Sequence, residues 1–118
     1  MSDCVPYALH VLSGKPYPEV MDEVSGLPPH CRWSGRGMSM LTARSMLQSW
    51  GIRVGEFLVP DRRITLAQFA AVARVDRDYM VSVKDHVLSI RDGAVFDKAG
   101  TVGRSIVCAY VEVFHKGT

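Results

Sequence analysis

The dipeptide Asp92-Gly93 is the sequence feature that most limits how this chain can fold. It separates two strand-like runs of apolar and β-branched residues, 86–91 and 94–97. A tight two-residue hairpin turn needs positive φ at both central positions, and an aspartate followed by a glycine satisfies that need. The sequence therefore predicts an antiparallel hairpin centred on this dipeptide.

The pattern of apolar residues changes from helical to strand-like along the chain. Before the hairpin, most of the apolar periodicity is helical, and the final part alternates as strands do. Predicted helices cover residues 1–12, 17–24, 39–50 and 65–73, and predicted strands cover 52–59, 79–83, 86–91, 94–97 and 105–115. N-terminal helices packed on a C-terminal antiparallel sheet are the α+β pattern, which is the predicted fold class.

The length and composition predict one globular domain covering residues 1–118. Of these residues 47% are hydrophobic and 22% are charged, which is ordinary for a soluble protein. No apolar run approaches the ~20 residues of a membrane-spanning helix. At the N-terminus, no basic region precedes the apolar residues, as one would in a signal peptide. We therefore expect a cytoplasmic protein without a membrane partner.

The charged residues and cysteines argue against several kinds of partner. A net charge of +2, with the arginines scattered along the chain, is too weak to predict nucleic-acid binding. Cys4, Cys31 and Cys108 include no close pair, so no disulfide framework is predicted. The dipeptide His30-Cys31 has no matching second pair of metal ligands. We expect neither a metal nor another cofactor.

The first helix carries a cysteine in its opening turn. Ser2 or Asp3 suits the N-cap position, and Pro6 is tolerated only in a first turn. Cys4 is therefore expected at the helix N-terminus, where free backbone N–H groups and the helix dipole favour a thiolate. The alternative is a small buried cysteine that serves only packing.

The predicted hairpin brings a histidine close to an aspartate. With Asp92-Gly93 as the turn, His86 and Asp97 are diagonal neighbours on one face, with main chains about 7–8 Å apart. Leu88, Ile90 and Val95 share this face. The carboxylate can accept a hydrogen bond from one imidazole nitrogen, while the other nitrogen faces the helix that covers this face.

Taken singly, these residues also suit structural roles. His86 can be a partly buried histidine paired with Asp85 or Asp97, and Asp97 can be a carboxylate that follows a strand. A helix-opening cysteine, a strand-opening histidine and an aspartate on the same face in this order favour a catalytic site. They would act as nucleophile, base and orienting acid of a triad.

The order and spacing of several short motifs resemble those of a minimal papain-like cysteine peptidase. The chain is most similar to bacteriocin-processing, double-glycine leader peptidases and to small phage-encoded relatives. The resemblance implies that Cys4 is the nucleophile, His86 the general base and Asp97 the residue that orients the histidine. The motifs are Asp3-Cys4 with Ala8-Leu9, Gly14-Lys15-Pro16-Tyr17, Gly37-Met38-Ser39 before a helix that ends at Trp50-Gly51-Ile52, and 86–97.

The resemblance also implies a peptide or protein substrate. Trp33 and Met38, in and after the loop of residues 26–37, would border the substrate groove. Such peptidases usually place a glutamine shortly before the cysteine as an oxyanion donor, whereas residues 1–3 contain no amide side chain. Two hypotheses follow: a cysteine peptidase or amide hydrolase, and a weak or inactive papain-like module that binds and blocks a host protein. Acyl transfer to an amine would use the same triad.

Overall fold

A computed structural model describes residues 4–27, 39–84, 86–97 and 103–114. Within these ranges the chain forms four helices and five strands, so the predicted α+β class is confirmed. The helices are α1 (Cys4–Ser13), α2 (Tyr17–Ser25), α3 (Met40–Ser49) and α4 (Leu66–Val72). The strands are β1 (Val54–Leu58), β2 (Arg77–Val83), β3 (His86–Arg91), β4 (Ala94–Phe96) and β5 (Val107–Phe114).

The strands form one antiparallel sheet in the order β1-β5-β2-β3-β4. The last strand of the chain therefore lies inside the sheet, between β1 and β2. β2 begins at Arg77, two residues before the predicted start at Tyr79. Its first two residues are drawn into the sheet because Arg77 pairs with Phe114 and Asp78 pairs with Val113.

Local capping signals begin two of the helices where the sequence predicts them. The side chain of Ser39 accepts a hydrogen bond from the Leu41 N–H at the start of α3. At the start of α4, Thr65 and Gln68 form a reciprocal capping box with distances of 2.9 and 3.1 Å. These side chains satisfy backbone donors that a helix leaves without internal partners.

The sheet has an apolar core on each face. On the first face, residues of α1, α2 and α3 pack with four buried residues of β2 and β5, which are Met80, Ala109, Val111 and Val113. On the second face, Leu66 and Phe69 of α4 pack with sheet residues that include Tyr79, Val81, Leu88, Ile90 and Val107. Neighbouring residues of β2 enter opposite cores because strand side chains alternate.

No helix in the described ranges is long and apolar enough to cross a membrane.

Candidate functional site

Cys4 is the first described residue of α1, which covers Cys4–Ser13. The helix buries Val5, Ala8, Leu9 and Leu12 along one side, and Cys4 itself belongs to the same core with 9% of its surface exposed. The predicted caps Ser2 and Asp3 lie outside the described residues. Cys4 thus lies in the N-terminal part of the described helix, towards the end of the helix dipole that favours an anion.

The hairpin that carries the histidine has the predicted turn and register. Asp92 and Gly93 have φ values of 52° and 77°, which are the positive angles that this turn requires. Across the turn, Ile90 pairs with Val95. The turn fixes the register of the two strands, and the register determines which residues at the two ends of the 86–97 segment face each other.

His86 and Asp97 are in direct contact, as the register predicts. His86 Nε2 lies 2.5 Å from Asp97 Oδ1, and only 17% and 4% of the two side chains are exposed. An ionised carboxylate can only accept hydrogen bonds, so Nε2 carries the proton of this contact. In a neutral ring, Nδ1 then carries the lone pair. Nδ1 is the nitrogen that can take a proton from a thiol.

The helix that covers the hairpin face is not the one that carries Cys4. The sequence predicts that one imidazole nitrogen of His86 faces the helix that covers the side shared with Leu88 and Ile90. Leu88 and Ile90 pack on the second face with α4, so the covering helix is α4. Val87, the next residue along β3, packs with the core that contains Cys4. α1, which carries Cys4, covers the opposite, odd-numbered side of β3.

His86 nevertheless opens β3, so it lies at the end of a strand rather than over the middle of the sheet. At the other end of β3, Arg91 Nη1 donates to the carbonyl of Val11 in the last turn of α1, at 3.0 Å. α1 packs on β3. The last turn of the helix therefore meets the last residue of the strand.

The sequence analysis does not single out two charged residues at the other end of β3 and on the neighbouring strand, Arg91 and Asp78. Asp78 on β2 is buried, and Arg91 Nε lies 3.2 Å from its Oδ2. A carboxylate next to the apolar run Tyr79-Met80-Val81 was the available signal, because an acid in such a strand needs a partner. Which partner it takes follows only from strand pairing.

Several candidate residues cannot be placed. Trp33 and Met38, predicted to border a substrate groove, lie outside the described residues, as do Cys31, His30 and Asp85. Among the residues that are described, no group of three or more histidine, cysteine, aspartate or glutamate side chains could hold a metal ion.

Comparisons of the chain with protein-family models, with curated proteins and with solved structures found no match.

Proposed function

We propose that this chain is a small papain-like cysteine peptidase or amide hydrolase that uses Cys4, His86 and Asp97. The contact between His86 Nε2 and Asp97 Oδ1 carries the proposal. It is a nearly buried imidazole–carboxylate pair, and it leaves Nδ1 as the basic nitrogen. The contact of the last turn of α1 with Arg91, at the opposite end of β3 from His86, supports placing Cys4 near this pair.

In the proposed reaction, Cys4 Sγ transfers its proton to His86 Nδ1 and attacks the carbonyl carbon of a peptide or amide. The C–N bond then breaks, the imidazolium gives its proton to the leaving amine, and a thioester remains on Cys4. Water attacks the thioester with His86 again as base, and the acid product and free thiol are released. Asp97 stabilises the imidazolium and keeps the ring oriented.

The first turn of α1 provides hydrogen-bond donors for the developing oxyanion. Cys4 and Val5 have backbone N–H groups at the helix start, whereas Pro6 has none. Such donors stabilise the tetrahedral intermediate, and each is worth about 10²–10³ in kcat in related chemistry. A helix start can in this way replace part of the role that an upstream glutamine has in the family.

One observation favours the alternative of a papain-like binding module that blocks a host protein. Cys4 is largely buried among apolar side chains of the first core, as a cysteine that serves packing would be. A binding module needs the shape of the domain and not the thiol. The two functions therefore differ in their response to removal of one sulfur atom.

The test is hydrolysis of a pool of fluorogenic peptide amides by the wild type and by single variants. Cys4→Ala and His86→Ala should each lower kcat by more than about 10³-fold, because each removes a member of the triad. Asp97→Asn should cause a smaller loss, because an amide oxygen can still accept from Nε2. Cys108→Ala is the matched control, since Cys108 is an exposed cysteine on β5.

Wild-type hydrolysis that survives in folded Cys4→Ala would exclude the peptidase. If the wild type does not hydrolyse the peptides and Cys4→Ala still blocks the host protein as well as the wild type does, the binding module is supported instead.

A further inference from the structure

We propose that Arg91 is a positioning residue that sets the place of α1 on β3 and thereby the approach of Cys4 to His86. This inference rests on the proposed function, because it assigns a role to Arg91 in that same site. Arg91 contacts Asp78 and the Val11 carbonyl and is not itself one of the three catalytic side chains. It acts at the far end of the two elements that carry two of them.

Arg91 joins three elements through one guanidinium group. Its Nε lies 3.2 Å from Oδ2 of Asp78 on β2, and its Nη1 donates to the Val11 carbonyl of α1 at 3.0 Å. The Asp78 side chain is only 4% exposed, whereas that of Arg91 is 43% exposed. The guanidinium thus connects a buried carboxylate in the sheet to the C-terminal end of α1.

Both of these contacts meet a physical need. A buried carboxylate is costly unless it is paired and hydrogen-bonded. Val11 belongs to the last turn of α1, where backbone carbonyls have no partner within the helix, and a cation there also complements the helix dipole. The planar guanidinium carries donors on separate nitrogens in a fixed fork and can hold both partners at once, whereas a lysine carries all its donors on one nitrogen.

The position of this contact allows it to influence the site at the other end of the same two elements. β3 has His86 at its first residue and Arg91 at its last, and α1 has Cys4 at its first residue and Val11 in its last turn. The two elements have similar lengths, about 20 Å for six strand residues and about 15 Å for ten helical residues. Holding one end of the helix on the strand therefore limits how far the other end can move.

The sheet offers a matched control in a second ion pair. Arg77 Nη1 lies 2.6 Å from Oε2 of Glu112, between β2 and β5, and both side chains are partly buried. By strand alternation this pair projects from the face opposite α1, since Tyr79 pairs with Glu112 and packs in the second core. Arg77→Gln should weaken the sheet without moving the helix that carries Cys4.

The experiment measures iodoacetamide alkylation of Cys4 as a function of pH, together with kcat and KM on the fluorogenic peptide pool. In the wild type, alkylation below neutral pH should depend on His86, because an imidazolium next to the thiol stabilises the thiolate. The rate of Cys4 alkylation below neutral pH is called the acidic limb. Arg91→Gln should lower this acidic limb to the rate seen in His86→Ala. It should also lower kcat by about 10²-fold, the effect of misplacing a reacting group by about 1 Å, with KM little changed.

A second variant separates the role in positioning from folding. Arg91→Lys keeps a cation beside Asp78 but cannot also hold the Val11 carbonyl, so it should fold and still lose the acidic limb. Circular dichroism and thermal melting verify the fold of each variant, and Arg77→Gln should keep both the limb and kcat.

A wild-type acidic limb that depends on His86 and persists in folded Arg91→Gln and Arg91→Lys would overturn the positioning role and leave the proposed function intact. An acidic limb that is equal in the wild type and in His86→Ala would overturn the proposed function, and this inference with it.

Discussion

The two faces of the sheet differ in how their helices are attached. On the second face, α4 is joined to the chain before β5 by backbone hydrogen bonds, from Leu66 N to Ser105 O at 2.7 Å and from Ala67 N to Gly103 O at 2.8 Å. On the first face, α1 is held by apolar packing and by the side chain of Arg91. The position of α1 therefore depends on side chains, and that of α4 largely on the backbone.

The chemistry of the two cores differs as well. The first core is built mostly from aliphatic and methionine side chains, and it contains Cys4. The second core combines aliphatic side chains with a group of aromatic rings: the Phe69 ring lies edge-on to Tyr79 and Tyr110 at centroid distances of 5.4 and 5.0 Å. Such pairs have preferred geometries, whereas aliphatic side chains pack without a preferred direction.

This difference bears on the candidate site because its parts come from both layers. The helix with Cys4 belongs to the first face, whereas Leu88 and Ile90 of the hairpin pack on the second. In the proposed site, the thiol and the imidazole would meet at the His86 end of β3. Substitutions on the two faces should thus have separable effects.

The largest expected effect on stability comes from truncating one buried leucine on each face. Leu9→Ala and Leu66→Ala should each lower the free energy of unfolding by about 2–5 kcal/mol, because each leaves a cavity in a closed core. Urea unfolding measures the loss. Hydrogen exchange should show lost protection first in α1 for Leu9→Ala and first in α4 for Leu66→Ala. The same pattern in both variants would show that the two cores unfold as one unit.

Removing the cap of α4 should have a smaller effect, confined to the second face. Thr65→Ala deletes the hydroxyl that accepts from the Gln68 N–H and should cost about 1 kcal/mol. Thr65→Ser keeps the acceptor and serves as the control. Alkylation of Cys4 should be unchanged in both variants. A large change in Cys4 alkylation in Thr65→Ala would contradict the separation of the two faces.

The smallest expected effect is a dependence of stability on alkaline pH that originates on the second face. Burial raises the pKa of the Tyr110 phenol, and the Glu112 carboxylate adds to the shift. Because the pKa is raised in the folded state, this contribution to stability is complete below the unfolded value of about 10 and is lost as pH rises through the folded value.

Melting temperatures should therefore fall more steeply above about pH 10 in the wild type than in Tyr110→Phe. Melting of both proteins at neutral pH serves as the reference for the loss of the hydroxyl itself. Equal slopes would assign the alkaline dependence to other groups.

Much of the candidate site could be predicted because it is encoded locally. The positive φ angles of Asp92 and Gly93 belong to a two-residue turn. Strand alternation then places His86 and Asp97, which are 11 positions apart in the sequence, next to each other. The caps at Ser39 and Thr65 likewise depend on residues within one turn. In each case the interacting groups are near neighbours in sequence.

By itself, then, the sequence determined the element types, the hairpin register and the pairing of His86 with Asp97. Only the tertiary structure decided that β5 lies between β1 and β2, that α1 and α4 cover opposite faces, and that Arg91 joins Asp78 to Val11. These features join residues far apart along the chain. Periodicity indicates that a face is apolar but not which helix will bury it, because that choice depends on how all the layers pack together.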